Sequence, residues 1–101
     1  MTFAEFKRGI SKPKPPAGLP PVLEALWWAA KGDWDKAHRI VMKEDGGDAA
    51  WVHAYLHRVE GDLDNAGYWY RQARRPADSG PLEAEWDAIA ADLINKQAES
   101  A

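Results

Sequence analysis

Residues 50–76, AWVHAYLHRVEGDLDNAGYWYRQARRP, decide the fold. Ahead of Gly61, the residues Trp51, Val52, Tyr55, Leu56 and Val59 recur at the three- and four-residue intervals of one helical face. Beyond it, Leu63, Ala66, Trp69, Tyr70 and Ala73 do the same. A glycine stops a helix, and an aspartate directly after it can accept the free N–H groups of the next first turn. The stretch therefore predicts two helices joined by a tight turn at Gly61 and Asp62, with faces that other elements must cover. Gly67 inside the second helix costs roughly 1 kcal/mol against alanine, which anticipates close packing by another helix. Arg74 and Arg75 place positive charge at that helix's C-terminus, where it complements the dipole.

A near copy precedes this stretch. After a shift of 29 residues, Gly32-Asp33-Trp34-Asp35-Lys36-Ala37 falls on Gly61-Asp62-Leu63-Asp64-Asn65-Ala66. Val22, Leu23, Leu26, Trp27 and Ala30 fall on Trp51, Val52, Tyr55, Leu56 and Val59, and Ile40 and Val41 fall on Trp69 and Tyr70. One hairpin cannot bury its apolar face alone, and stacked neighbours can. The expected fold is all-α: two antiparallel helical hairpins plus a C-terminal capping helix, forming one domain over residues 21–97. The first helix begins near Pro20 or Pro21, and Asp33 caps the second. Glu44-Asp45-Gly46-Gly47-Asp48 is a loop, with Asp48 placed to cap the third. After a second loop, Pro81 opens a last helix with the stripe Leu82, Trp86, Ile89, Leu93, available to cover the second hairpin. Residues 97–101 are expected to fray.

Residues 1–20 form a Pro-rich arm. Phe3, Phe6 and Ile10 can share one side of a short helical turn; Pro13, Pro15, Pro16, Pro20 and Pro21 then favour extended backbone. Such regularly spaced large side chains predict that the arm packs, on its own chain or on a second one, where Trp28 lacks a cover.

The run Gly61-Asp62-Leu63-Asp64-Asn65-Ala66, followed by Tyr70 and Ala73, resembles the second half of a tetratricopeptide repeat. Trp34 and Ala37 match the same positions in the first copy. The resemblance covers about half the chain. It implies a stack of helical hairpins that binds a protein or peptide along the first helix of each hairpin. This chain repeats at 29 residues where the family repeats at 34, and the family's core leucine and tyrosine fall on His53 and His57. The stretch WVHAYLH-x-x-EGD also looks like one carried by small uncharacterised bacterial proteins, a likeness that implies no activity.

Composition narrows the function classes. The 101 residues include no cysteine, which excludes disulfides and thiolate metal sites. A net charge of −3 argues against a nucleic-acid binder. No run is long enough to span a membrane. The N-terminus lacks the apolar core and cleavage site of a secretory signal, so the cytoplasm is expected. No phosphate-cradling glycine motif, nucleophile elbow or acid–base pair appears, and no cofactor is implied. An interaction module without catalytic activity, binding a protein, a peptide or a second copy of itself, is the leading expectation.

The alternative is a small metal-binding protein. His53 and His57, four apart, project from one side of the third helix, with Glu60 three further on. Imidazole pairs can ligate zinc, and a third ligand would come from elsewhere, such as His38 or Asp62. The structural account of the same residues is a histidine pair bonded to a tyrosine or a carboxylate. Asp33, Asp35, Asp62 and Asp64 are explained as capping and first-turn acids. Trp28 and Tyr68, off the apolar stripes, are candidate interface residues. Arg71, Arg74 and Arg75 near Tyr68 would suit an acidic peptide or phosphate, or simply form a solvated face.

Overall fold

The computed structural model describes residues 1–99, and every regular element among them is helical. α1 spans Phe3–Arg8 and runs into a 3-10 turn at Gly9–Ser11; α2 spans Pro21–Ala30, α3 Trp34–Val41, α4 Gly47–Val59, α5 Leu63–Ala73 and α6 Leu82–Glu99. α6 continues beyond Gln97, where fraying was expected; residues 100 and 101 lie outside the described residues. No helix among the described residues is long and apolar enough to cross a membrane.

The two glycine–aspartate turns match bond by bond. Gly32 and Gly61 take φ of +86° and +85°, a region that favours glycine. Gly32 and Asp33 donate to the carbonyls of Ala29 and Trp28, both at 3.0 Å; Gly61 and Asp62 donate to those of Arg58 and His57, at 3.1 and 2.9 Å. Each aspartate then caps the following helix, Asp33 accepting from the Lys36 N–H and Asp62 from that of Asn65. Asp48 does not cap. α4 starts two residues earlier than that cap would place it, behind Gly46, and Asp48 in its first turn binds the Lys96 ammonium at 2.7 Å. Gly67 is not a packing site either: a Cβ there would meet only the Arg71 guanidinium, at 3.5 Å.

α2 packs on α3, α4 on α5, and α3 on α4, which brings the two pairs together. Their shared interior holds Leu23, Leu26, Trp27, Val52 and Leu56, all essentially without solvent contact. α6 does not extend the stack as a third repeat would. It lies across α4, α2 and α1, where Ile89, Ala90, Leu93 and Ile94 are buried. The Trp86 indole N–H donates to the Leu26 carbonyl at 2.9 Å. This placement explains three residues expected in apolar stripes but found exposed. Leu63, at the position Trp34 holds in the first copy, meets no following pair and is 67% exposed. Val59, at the end of α4, and Leu82, at the start of α6, lie at helix ends beyond the packed zone. Ala30 is likewise exposed, as the last residue of α2.

The N-terminal segment covers α2 and α6, not Trp28. A capping box between Thr2 and Glu5 starts α1. Phe6, fully buried, stacks on Trp86 with ring centroids 5.7 Å apart. The Trp27 indole donates to the Gly9 carbonyl, and Lys31 reaches the Ile10 carbonyl at 2.8 Å. Trp28 is instead flanked by the edge of Trp27 and by the Lys36 ammonium, 3.9 Å from its ring centroid.

Candidate metal centre

The contact between α3 and α4 gathers three histidines. His53 and His57 stand one turn apart on α4, and His38 reaches them from α3. A ring nitrogen from each falls within 4.8 Å of the other two. The Nε2 atoms of His38 and His53 face each other at 3.0 Å. His53 and His57 are buried, 6% and 5% exposed, and His38 is half-buried. The positions where the tetratricopeptide resemblance calls for leucine and tyrosine are therefore interior positions here, filled by imidazoles.

Two tryptophans hold the cluster. Trp34, one turn before His38, stacks on it at 4.6 Å and meets His57 edge-on. Its indole N–H donates to the Leu56 carbonyl at 2.6 Å, which fixes that wall to α4. Trp69 from α5 stacks on His53 at 3.9 Å, nearly parallel. Glu60 sits 3.3 Å from Nδ1 of His57. A carboxylate on one imidazole nitrogen selects the tautomer whose other nitrogen carries the lone pair, as in carboxylate–histidine–metal relays. Asp62 groups with His57 and Glu60 but not with the other two histidines, and its carboxylate caps α5. His38, not Asp62, is thus the third imidazole-bearing partner.

The electrostatics favour uncharged rings. Burial, reinforced by the neighbouring His38 and His57, pushes His53 from the ordinary 6.5 down to about 4. His38 is lowered as well, by burial and then by His57. At neutral pH both offer lone pairs rather than charges, the state in which imidazole binds a metal. An all-imidazole donor set suits zinc, copper or nickel; calcium and magnesium require oxygen.

The remaining candidates lie outside this cluster. Tyr68 is 46% exposed and rests edge-on against Trp69. Arg71 and Arg74 are exposed; Arg74 closes α5 in the left-handed conformation, φ +58°. Arg75 is not a free surface cation. Its guanidinium lies 3.4 Å over the Trp51 ring centroid and pairs with Asp92 at 3.5 Å. Trp28 lines a separate groove with Glu24, Lys36, Arg39, Ile40 and Lys43.

One polar cluster has no counterpart in the sequence reading. Glu85, 2% exposed, accepts from Arg58 Nη1 at 2.9 Å, from the Tyr70 hydroxyl at 2.6 Å and from the Trp51 indole at 3.4 Å. Arg58 also donates to the Gly80 carbonyl. Burial and the Glu85 carboxylate raise the Tyr70 pKa, so the phenol stays protonated and donates. The available signal was position: Glu85 lies four residues before Ile89, on the buried side of α6. Compared with known proteins, the chain matches no protein-family model, no curated protein and no solved structure.

Proposed function

We propose that this protein binds a divalent transition metal ion through His38, His53 and His57. One observation carries the reading: three imidazole nitrogens from two helices converge within 4.8 Å in a half-dry site. Bond lengths of about 2.0–2.1 Å at tetrahedral angles place ligand nitrogens about 3.3 Å apart. The 3.0 Å between His38 and His53 requires little adjustment. Without metal, one of these two Nε2 atoms carries the hydrogen and donates it to the other; with metal bound, that ring would take the tautomer with its hydrogen on Nδ1, so that both Nε2 lone pairs face the ion. Glu60 supplies the outer-shell carboxylate to His57. The test is the metal content of protein purified without chelators, followed by titration of the apoprotein with zinc, nickel and copper. One equivalent bound, and lost in His53→Ala and His38→Ala, supports the reading. Apoprotein that binds none of the three ions overturns it.

A second reading, an interaction module built as a tetratricopeptide-like hairpin stack behind a Pro-rich arm, is favoured by the face around Trp28. Lys36, Arg39 and Lys43 flank that ring, and none of them forms an ion pair among the described residues. It is weakened along α2 and α4, the helices the resemblance assigns to peptide binding, because α6 already lies on both. Size-exclusion chromatography with light scattering tests self-association; a strict monomer removes the homodimer form of this reading.

A further inference from the structure

We infer that the metal bound by His38, His53 and His57 keeps one coordination position open toward the groove beside Trp69, and that this position takes a small monoanion with an oxygen or nitrogen donor. The inference rests on the metal reading above and adds a ligand to it.

The cluster supplies three donors, and zinc-like ions take at least four. Glu60 lies 3.3 Å from Nδ1 of His57, so a metal held by Nε2 of that ring leaves this carboxylate outside the ligand set. Asp62 shares only His57 and Glu60 with that side of the cluster. Three protein ligands with the fourth left to solvent is the arrangement of sites that exchange a ligand, whereas closed structural sites use four protein donors.

A groove of about 450 Å³ runs between the loop after α3 and the face of α5, and both His53 and Trp69 line it. Ala49 and Ala50, one turn before His53 on α4, also line it. The indole N–H groups of Trp27, Trp34, Trp51 and Trp86 all donate to protein acceptors, while those of Trp28 and Trp69 have none among the described residues; of these two, only Trp69 lines this groove.

Three neutral imidazoles leave both positive charges of the ion uncompensated, which favours an anion in the fourth position. Glu44 and Asp45 also line the groove, and they disfavour polyanions and bulky acidic ligands. A small monoanion, such as hydroxide, a short carboxylate or azide, satisfies both conditions.

Cobalt(II) and azide are the probes. The full chain is stripped with chelator, loaded with cobalt(II), and its visible absorption is followed as azide is added. The expected result is a metal-dependent d–d band that azide shifts saturably, with azide affinity lowered at least about tenfold in Met42→Trp and unchanged cobalt affinity. Met42 lines the groove and is 63% exposed, so the larger side chain obstructs entry without entering the core. A cobalt band that azide never moves means that a protein group closes the fourth position; it overturns the inference and leaves the metal reading standing. An azide shift unaffected by both Met42→Trp and Gln72→Trp places the open position away from the groove and also overturns it. Failure to bind cobalt by absorption, together with failure to bind zinc, nickel or copper by equilibrium dialysis, overturns the inference and the metal reading alike.

Discussion

Replacing Glu85 by leucine should be the most costly single change at any polar residue of this protein. Its side chain is almost wholly buried and is the shared acceptor for Arg58, Tyr70 and Trp51. Leucine keeps much of the volume but removes the only fully buried carboxylate among the described residues. The Arg58 guanidinium, itself 10% exposed, would keep its contact with Gly80 but lose its buried counter-charge. Breaking one partner of a buried pair costs about 3–5 kcal/mol. The orphaned Tyr70 hydroxyl and Trp51 N–H add about 1–3 kcal/mol each where water cannot reach them. Against a total stability of about 5–15 kcal/mol for a chain of this size, Glu85→Leu should leave the protein marginal.

The double-mutant cycle separates charge from packing. Arg58→Met alone should cost about 3–5 kcal/mol, because it strands the carboxylate. Glu85→Leu with Arg58→Met should cost less than the sum by about 2–3 kcal/mol, since neither buried charge then remains. Adding Tyr70→Phe should recover part of the rest by removing an unsatisfied hydroxyl. Urea unfolding followed by far-UV circular dichroism reads all of these without relying on Trp51, which touches Glu85. A cost below about 1 kcal/mol for Glu85→Leu, or a coupling within about 0.5 kcal/mol of zero, refutes the reasoning. It would mean that water reaches these groups and screens them.

Other expectations follow from the same contacts. In chelator, stability should fall with acid. The folded pKa of His53, about 4, lies below the unfolded 6.5, so the unfolded chain takes up the proton first. The loss begins near pH 6.5, reaches about 2 kcal/mol by pH 5 and levels off at about 3 kcal/mol below pH 4. His53→Gln should flatten that slope; a slope unchanged in the variant assigns it elsewhere. A metal ion at a hundredfold excess over its Kd should stabilise the native protein by about 2.7 kcal/mol, or roughly 10–20 °C in melting temperature; no shift with zinc, nickel or copper would contradict the site. Phe6→Ala should cost about 3–5 kcal/mol, because the ring is fully buried on Trp86; a melting temperature indifferent to it would show that α1 contributes no packing. Trp69→Ala should cost less, about 1–3 kcal/mol, because that ring is only half-buried, and a larger loss measured by urea unfolding would place Trp69 in the core.

What the sequence discloses divides along a physical line. The glycine–aspartate turns and helix starts were legible because their causes are local: a positive φ, a carboxylate within three residues, a break in periodicity. The burial of Trp51, Leu56 and Tyr70 was legible because helical spacing sets which side chains share a face. The seat of α6 was not. Its stripe says that the helix has a buried side, and nothing in it names α2 and α4 as the partners. For the same reason Leu82 was read into the stripe and Glu85 left out: burying a carboxylate is favourable only beside Arg58 and Tyr70, which other elements supply. His53 and His57 were legible as a pair from their spacing, and His38 only as one option, because its approach depends on how α3 docks against α4.

The internal repeat gives one more test of what the histidines are for. In the 29-residue register, His38 corresponds to Gly67, His53 to Glu24 and His57 to Trp28. These are three chemically unrelated residues, on helices that close with the same hydrogen bonds around the same turns. The repeat scaffold therefore folds without imidazole at any of the three positions. Burying His53 disfavours its protonated form, and facing His38 against His53 satisfies a nitrogen that an apolar side chain would never have presented. A tryptophan at the position of His57 packs adequately in the first copy, where Trp28 meets Trp27 edge-on. Packing alone therefore selects no histidine here. On the proposed metal reading, a ligand that needs all three nitrogens at once would select them, and it would also account for Glu60 beside His57, where the first copy carries Lys31. Substituting leucine at positions 53 and 57 together in the apoprotein separates the two demands. If packing set these residues, the double variant should lose stability at neutral pH. If ligand binding set them, it should hold or gain stability there while losing the metal, because two buried polar rings give way to apolar side chains.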